Sequence, residues 1–329
     1  MDTPTHIIIG FGLASLSQLD PIVATSPPMS NAVLIGIVLG SNAPDFDFVF
    51  KLRGHEYYRR HHRGWSHSFL ALPLWALLIA SSIFPFFLPP SFLHLFLWTS
   101  LAVVVHVLLD LFNVYGTQVL RPFSTKWISF DSVPLTDWYI FALHTVGFCF
   151  LQIFDAVEVF AVVYLIMILY ISFRTFYVWI IKCNLYDHFR KAEHIKLIPR
   201  AAILKWDVLI ETDVDFLFGV YQHGILAIEH TAPKVKEGHD LILTSRKDKV
   251  ISNFLSTTNY AFPFVQERKN GHFILWKDLR FRKNKFFPSL AITFISSDKK
   301  SKASYSGWFY SLKKYKKVIR HLERGTGEG

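Results

Sequence analysis

Histidine and aspartate residues recur in four short clusters that are far apart in the sequence. The clusters are Thr5-His6, Ala43-Pro44-Asp45-Phe46-Asp47, His61 to Ser68, and His106 with Asp110. Imidazole and carboxylate groups are the ligands that zinc and similar divalent ions take from proteins. We therefore predict a divalent metal site, with zinc the expected ion, held by ligands drawn from all four clusters: His6, Asp45, His62, His67, His106 and Asp110.

The spacing within each cluster fits this chemistry but allows simpler alternatives. His106 and Asp110 are four residues apart, which places them on one face of a helix, where an internal hydrogen bond is the alternative to metal binding. Asp45 and Asp47 follow Pro44 and would face the same way in an extended segment, with helix capping as the alternative. Gly64 permits a turn that brings His62 and His67 together, and a basic loop at the lipid headgroups is the alternative there.

Two further residues fit catalysis by a metal-bound water. Asp47 is the best available general base near the predicted ligands. Arg121 suits a phosphate group, which guanidinium matches with two hydrogen bonds, although an ordinary arginine at the membrane surface explains it equally well. The sequence contains neither a nucleotide-binding glycine loop nor a Gly-x-Ser-x-Gly elbow, which argues against P-loop enzymes and serine hydrolases.

Long apolar runs must position these clusters. A helix needs about 20 apolar residues to cross a hydrocarbon core of roughly 30 Å. Four runs approach or exceed that length, at 68–90, 92–114, 137–154 and 157–181. The shorter runs 7–19 and 31–44 predict either two thin spans or a re-entrant hairpin. We predict an α-helical polytopic membrane domain over 1–182, followed by a soluble, mainly β (α+β) domain.

Charge predicts the orientation of the chain in the membrane. Residues 1–182 carry a net charge of −1 and residues 183–329 a net charge of +11. Positive residues collect on the cytoplasmic side of membrane proteins. With the basic tail in the cytoplasm, the turns 89–91 and 155–156 are external, and they carry no Lys or Arg. The internal loops then contain seven basic residues: Lys51, Arg53, Arg59, Arg60, Arg63, Arg121 and Lys126. All four clusters then reach the cytoplasmic face of the cell membrane.

The tail divides into a charged amphipathic connector, 183–206, and a basic, β-rich cytoplasmic domain, 207–329. Short apolar runs separated by turn residues predict antiparallel strands at 208–210, 225–228, 241–243, 273–276 and 290–295. The segment 311–324 predicts a basic helix, either at the membrane surface or in solvent. Its charge suits the lipid bilayer, a regulatory protein or DNA as a partner.

The ordered clusters resemble the family of LexA-binding, inner-membrane-associated, metal-dependent hydrolases, most closely its YdjM- and YfhP-like members. The resemblance rests on Met1-Asp2-x-x-Thr5-His6, Ala43-Pro44-Asp45-x-Asp47, His62 to Ser68, His106-x-x-x-Asp110 with Asn113, Tyr115 to Gln118 and Arg121 to Ser124. In the tail, Lys277 to Arg282 and Gly307-Trp308 extend it. A more distant likeness to zinc-dependent phospholipase C lies in the His and Asp pattern alone.

The resemblance implies a multi-pass protein of the cytoplasmic membrane with hydrolase activity, and the phospholipase likeness implies phosphoester hydrolysis. A phosphoester or lipid-phosphate substrate fits the membrane location and Arg121. The family resemblance also implies a link to transcriptional control in some members. The alternative function is therefore a membrane-tethered regulator of transcription or stress response, with a structural metal site and a tail that binds a partner or DNA.

Overall fold

Residues that favour helix starts mark the beginnings of the helices in the N-terminal half. Ser91 accepts a hydrogen bond from the backbone of His94, and Asp137 and Asp155 cap the helices that follow them in the same way. In the computed structural model, which describes residues 1–53, 57–58, 61–234, 240–282, 286–297 and 302–323, the helices of this half are α1 Thr3–Leu16, α2 Pro21–Ala24, α3 Pro27–Gly40, α4 Ala71–Phe87, α5 Phe92–Phe112, α6 Trp138–Phe150 and α7 Ala156–His188.

Two of these helices are long and apolar enough to cross a membrane, namely α5 and α7. A third candidate is α3 together with the 3₁₀ segment Ala43–Arg53, which is bent from it by 48°. The predicted spans at 68–90 and 137–154 form only the shorter apolar helices α4 and α6, so four clear spans are not confirmed. The first run is shortened because Leu88 adopts a left-handed conformation and two prolines follow it.

Small residues allow α3 to approach α5 closely. A Cβ atom on Gly36 would overlap the Thr99 hydroxyl, and one on Gly40 would press on the Thr99 carbonyl oxygen. Without those methyl groups the two backbones come together, as small residues permit in membrane helices. The C-terminal end of α3 therefore lies beside the later turns of α5, which carry His106 and Asp110.

The rest of the chain is mainly β-sheet, as predicted. Two four-stranded antiparallel sheets follow the order of the sequence. The first contains β1 Ala192–Pro199, β2 Lys205–Thr212, β3 Asp215–Gln222 and β4 Ile225–Pro233, and the second contains β5 Ala261–Arg268, β6 Gly271–Asp278, β7 Ser289–Ser296 and β8 Lys302–Trp308. The described helices here are α8 Asp240–Arg246, α9 Lys249–Leu255 and α10 Leu312–Glu323.

Alternation along β6 explains how the second sheet is covered. Ile274 and Trp276 belong to a core that includes Ile242 and Ile251 of α8 and α9. Phe273 belongs to a second core that includes residues of α10, such as Leu322. Successive strand residues point to opposite faces, so one strand supplies both cores.

The tail departs from the prediction at two places. The prediction of a strand at 241–243 is wrong, because these residues lie within the helix α8. A short apolar run does not distinguish a strand from a buried helical turn, and Asp240 begins a helix here. In the predicted connector, α7 continues to His188 and β1 begins at Ala192. Arg59, Arg60 and Arg324, which the sequence-based predictions used, lie outside the described residues.

The chain divides into two compact units. One contains residues 1–49, 61–208 and 218–229, and the other contains residues 50–60, 209–217 and 230–329. All eight residues predicted to form the site belong to the first unit.

Candidate metal centre

Four of the predicted ligands converge in the first unit. Asp45 lies in the 3₁₀ segment after α3, His67 lies at the end of a single 3₁₀ turn, and His106 and Asp110 lie one turn apart on α5. One ligand atom from each lies within 4.8 Å of the other three. His67, His106 and Asp110 are buried, whereas the Asp45 side chain remains one-fifth exposed.

The separations measured from His67 match those around a tetrahedral ion, and those measured from His106 are slightly longer. Ligand bonds of about 2.0–2.2 Å place neighbouring tetrahedral ligands roughly 3.3–3.6 Å apart. His67 Nε2 lies 3.3 Å from His106 Nε2, 3.3 Å from Asp110 Oδ2 and 3.5 Å from Asp45 Oδ1. His106 Nε2 lies 3.8 Å from each of the two carboxylate oxygens. These distances leave room for one small cation at the centre.

Hydrogen bonds on the far side of each imidazole fix which nitrogen carries a proton. His106 Nδ1 lies 2.7 Å from the carbonyl oxygen of Ser41, which can only accept, so this nitrogen carries the hydrogen. His67 Nδ1 lies 2.9 Å from Ser66 Oγ. Because the Ser66 hydroxyl donates its hydrogen to Asp47, it can only accept from His67. Both Nε2 atoms therefore direct lone pairs at each other, which a cation between them would satisfy.

The two carboxylates of the group also leave oxygen atoms available to a cation. Among the described residues, neither Asp45 Oδ1 nor Asp110 Oδ2 accepts a hydrogen bond, although both atoms are buried. Arg63 lies 3.2 Å from Asp110 Oδ2 as an ion pair. The Arg63 guanidinium thus compensates part of the charge of Asp110, whereas a buried carboxylate oxygen such as Asp45 Oδ1 is costly without a cation beside it. The donor set, two imidazoles and two carboxylates, therefore fits a divalent ion such as zinc.

Burial keeps His67 neutral. Removal from water is the largest effect on this side chain and lowers its pKa to about 4. A histidine must be deprotonated before it binds a metal. The Nε2 lone pair of His67 is therefore available across the physiological pH range.

His62 and Asp47 form a neighbouring group with Asp45, but the spacing there differs. His62 Nδ1 lies 2.8 Å from Asp47 Oδ1, which is a hydrogen-bond distance and shorter than the separation of two ligands on one ion. His62 Nδ1 also lies 4.0 Å from Asp45 Oδ1. The three residues are near enough to hold an ion, yet the present contact between His62 and Asp47 is a direct hydrogen bond.

His6 lies against the four-ligand group without joining it. Its ring stacks on His106 with ring centres 3.8 Å apart, and its Nε2 lies 3.5 Å from Asp110 Oδ1. The amino nitrogen of Met1 contacts both His6 Nε2, at 2.9 Å, and Asp110 Oδ1. The structure thus brings His6 to the site, with the Met1 nitrogen between it and Asp110.

Arg121 is held in place by two neighbours. Its Nε donates to Gln118 Oε1 at 2.8 Å, and its guanidinium lies over the Trp65 ring, 5.3 Å from the ring centre. Trp65 is two residues from His67, so the arginine is anchored to the loop that supplies a ligand. The phosphate-binding role predicted for Arg121 stays a prediction.

Sequence reasoning missed two residues that shape the site. The sequence predicts no role for Ser66 at the metal site, whereas its hydroxyl bridges Asp47 and His67. Arg63 was counted only as a positive loop residue, whereas its buried guanidinium contacts Asp110 and donates to Asn113 Oδ1 at 3.1 Å. Both lie inside the densest His cluster, which was the only available signal.

Known proteins resemble this chain over nearly its whole length. Residues 1–181 match the YdjM inner membrane protein family, and residues 240–319 match the YfhP C-terminal alpha/beta plait domain. The uncharacterized protein YfhP of Bacillus subtilis (strain 168) is 34% identical over 323 residues, which cover 97% of this chain and 99% of that protein. No solved structure matches. The inner-membrane family and the apolar helices together indicate a membrane location. The chain belongs to the YdjM inner membrane protein family.

Proposed function

We propose that this protein is a membrane-bound, metal-dependent hydrolase whose site lies at the cytoplasmic face. The observation that carries the proposal is the convergence of Asp45, His67, His106 and Asp110 from three separate parts of the chain. The three separations from His67 Nε2, 3.3–3.5 Å, are those expected between ligands of a tetrahedral ion, and the imidazole tautomers direct both Nε2 lone pairs inward. A structural zinc site is usually closed by four protein ligands, whereas a catalytic site keeps one position for water.

The partial exposure of Asp45 supports a catalytic site. Three of the four side chains are buried, and Asp45 is the one that solvent can reach. If water replaced this carboxylate, three protein ligands would remain, as in catalytic zinc sites. A divalent ion held there would lower the pKa of a bound water towards about 7 and so supply hydroxide.

The surroundings of the site favour a phosphoester carried by a lipid. Arg121 is pre-oriented by Gln118 and Trp65, and a guanidinium matches the oxygens of a phosphate. Trp65 is half exposed, and Phe123, which stacks on Phe69, is almost fully exposed. Exposed aromatic side chains of this kind suit the boundary between water and acyl chains. We propose that they hold the lipid while Arg121 binds its phosphate.

Metal content and turnover test this proposal together. The full chain, purified in detergent without chelators, should contain a divalent ion and hydrolyse one class in a panel of phosphodiesters, phosphomonoesters and lipid phosphates. Asp110→Asn should lose both properties, and Arg121→Gln should lose turnover while keeping the ion. A chain that keeps its ion but hydrolyses none of the panel would contradict the hydrolase and favour a membrane-tethered regulator.

A further inference from the structure

We infer that Asp47 and Ser66 are positioning residues, which hold His67 in the one tautomer that can bind a metal through Nε2. The inference rests on the proposed metal site and assigns Asp47 a role other than the general base that the sequence suggested. Both residues contact His67 or its loop, and the directions of two hydrogen bonds, from Ser66 to Asp47 and from His67 to Ser66, fix the tautomer.

The direction of the first bond is fixed by the carboxylate. Ser66 Oγ lies 2.7 Å from Asp47 Oδ2, and an ionised carboxylate only accepts, so the single hydroxyl hydrogen points to Asp47. Ser66 Oγ then has only lone pairs left for His67 Nδ1, 2.9 Å away. His67 must therefore donate from Nδ1, which leaves Nε2 unprotonated and directed at Asp110 and His106.

Asp47 also fixes the loop that carries His67. Its Oδ2 accepts from the backbone nitrogen of Arg63 at 3.2 Å, and its Oδ1 accepts from His62 at 2.8 Å. The carboxylate is almost fully buried and holds three groups of the same turn. On the far side, Trp75 Nε1 donates to the Ser66 carbonyl oxygen at 3.1 Å, so the serine is anchored through both its side chain and its backbone.

The contacts of Asp47 fit a positioning role better than the role of a general base. A base needs an open lone pair for the proton it takes from water, whereas three of the about four acceptor sites of Asp47 already bind groups of the protein. Groups that bond the outer nitrogen of a metal-binding histidine set its tautomer and orientation. Removal of such a partner typically weakens metal binding 10–100-fold.

Neighbouring serines provide matched variants. Ser66→Ala removes the acceptor from His67 Nδ1, so we expect zinc affinity, measured by competition with a chromophoric chelator, to fall roughly 10–100-fold. Ser66→Thr keeps the hydroxyl and should restore affinity. Ser68→Ala is the control, because Ser68 is buried in the same loop but, among the residues that the structure describes, its hydroxyl bonds only Trp65 and Ala71. Equal affinity in Ser66→Ala and the wild type would overturn the inference.

A second readout does not depend on bound metal. In the metal-free full chain with ¹⁵N-labelled histidine, the ring shifts of His67, assigned by comparison with His67→Gln, should show a protonated Nδ1. Ser66→Ala and Asp47→Asn should move the proton to Nε2 or mix the two forms, and Ser68→Ala should not. A protonated Nε2 in the wild type would overturn the inference. Failure of the wild type to bind zinc, with the Nδ1 proton in place, would refute the proposed function alone.

Discussion

The contribution of Asp110 to metal binding can be predicted in magnitude. Asp110 is one of four ligands, and its Oδ2 lies 3.3 Å from His67 Nε2 and 3.8 Å from His106 Nε2. Zinc binding to a four-ligand structural site contributes about 10–16 kcal/mol, or about 3 kcal/mol for each ligand. Asp110→Asn keeps the shape of the side chain but removes its charge. We therefore expect the dissociation constant for zinc to rise roughly a hundredfold.

Unfolding with and without zinc measures this effect. Zinc at 100 times the wild-type dissociation constant should stabilise the wild type by about 2.7 kcal/mol and Asp110→Asn by only about 0.4 kcal/mol. Asp137→Asn is the control, because Asp137 is equally buried but caps α6 and accepts from Tyr170. It should lower stability while leaving the zinc increment unchanged. An undiminished increment in Asp110→Asn would refute the ligand assignment.

Three further predictions concern pH, backbone strain and orientation. The pKa of His67 is about 4 in the folded protein and 6.5 in the unfolded chain, so the metal-free protein should lose about 3 kcal/mol of stability as the pH falls from 6.5 to 4. His67→Gln should lose less over the same range. Parallel plots of unfolding free energy against pH for the two proteins would contradict this. Gly116→Ala should lower the unfolding temperature more than Gly224→Ala. Both glycines have positive φ, but of the two only Gly116 would place a Cβ against another residue's backbone. Equal shifts in unfolding temperature would argue against the close backbone contact at Gly116. A cysteine at Lys126 should react with an impermeant maleimide only from the cytoplasm and one at Leu88 only from outside, in a chain without Cys149 and Cys183; the reverse pattern would contradict the proposed orientation.

Local spacing in the sequence predicted those parts of the site that lie on one element. The four-residue interval between His106 and Asp110 placed them on one helical face, and α5 confirms it. The basic helix predicted near the C-terminus is likewise α10. These features depend on helical periodicity alone, which the sequence carries directly.

Features that depend on tertiary contacts were beyond the sequence. The approach of α3 to α5 through Gly36 and Gly40 brings the Ser41 carbonyl to His106, and no local pattern encodes that pairing. The tautomer of His67 depends on the direction of a hydrogen bond from Ser66, which requires coordinates. The length of the spans was overestimated because an apolar run continues beyond the residues that remain helical, as α4 illustrates.

X-ray absorption at the zinc edge tests the central claim most directly. The sample is the full chain, purified without chelators and reconstituted with one equivalent of zinc. We expect a shell of nitrogen and oxygen ligands at about 2.0–2.1 Å, with the multiple-scattering signal of two imidazoles. His106→Ala should reduce that signal to one imidazole. A spectrum of hydrated zinc without imidazole scattering would contradict the metal centre.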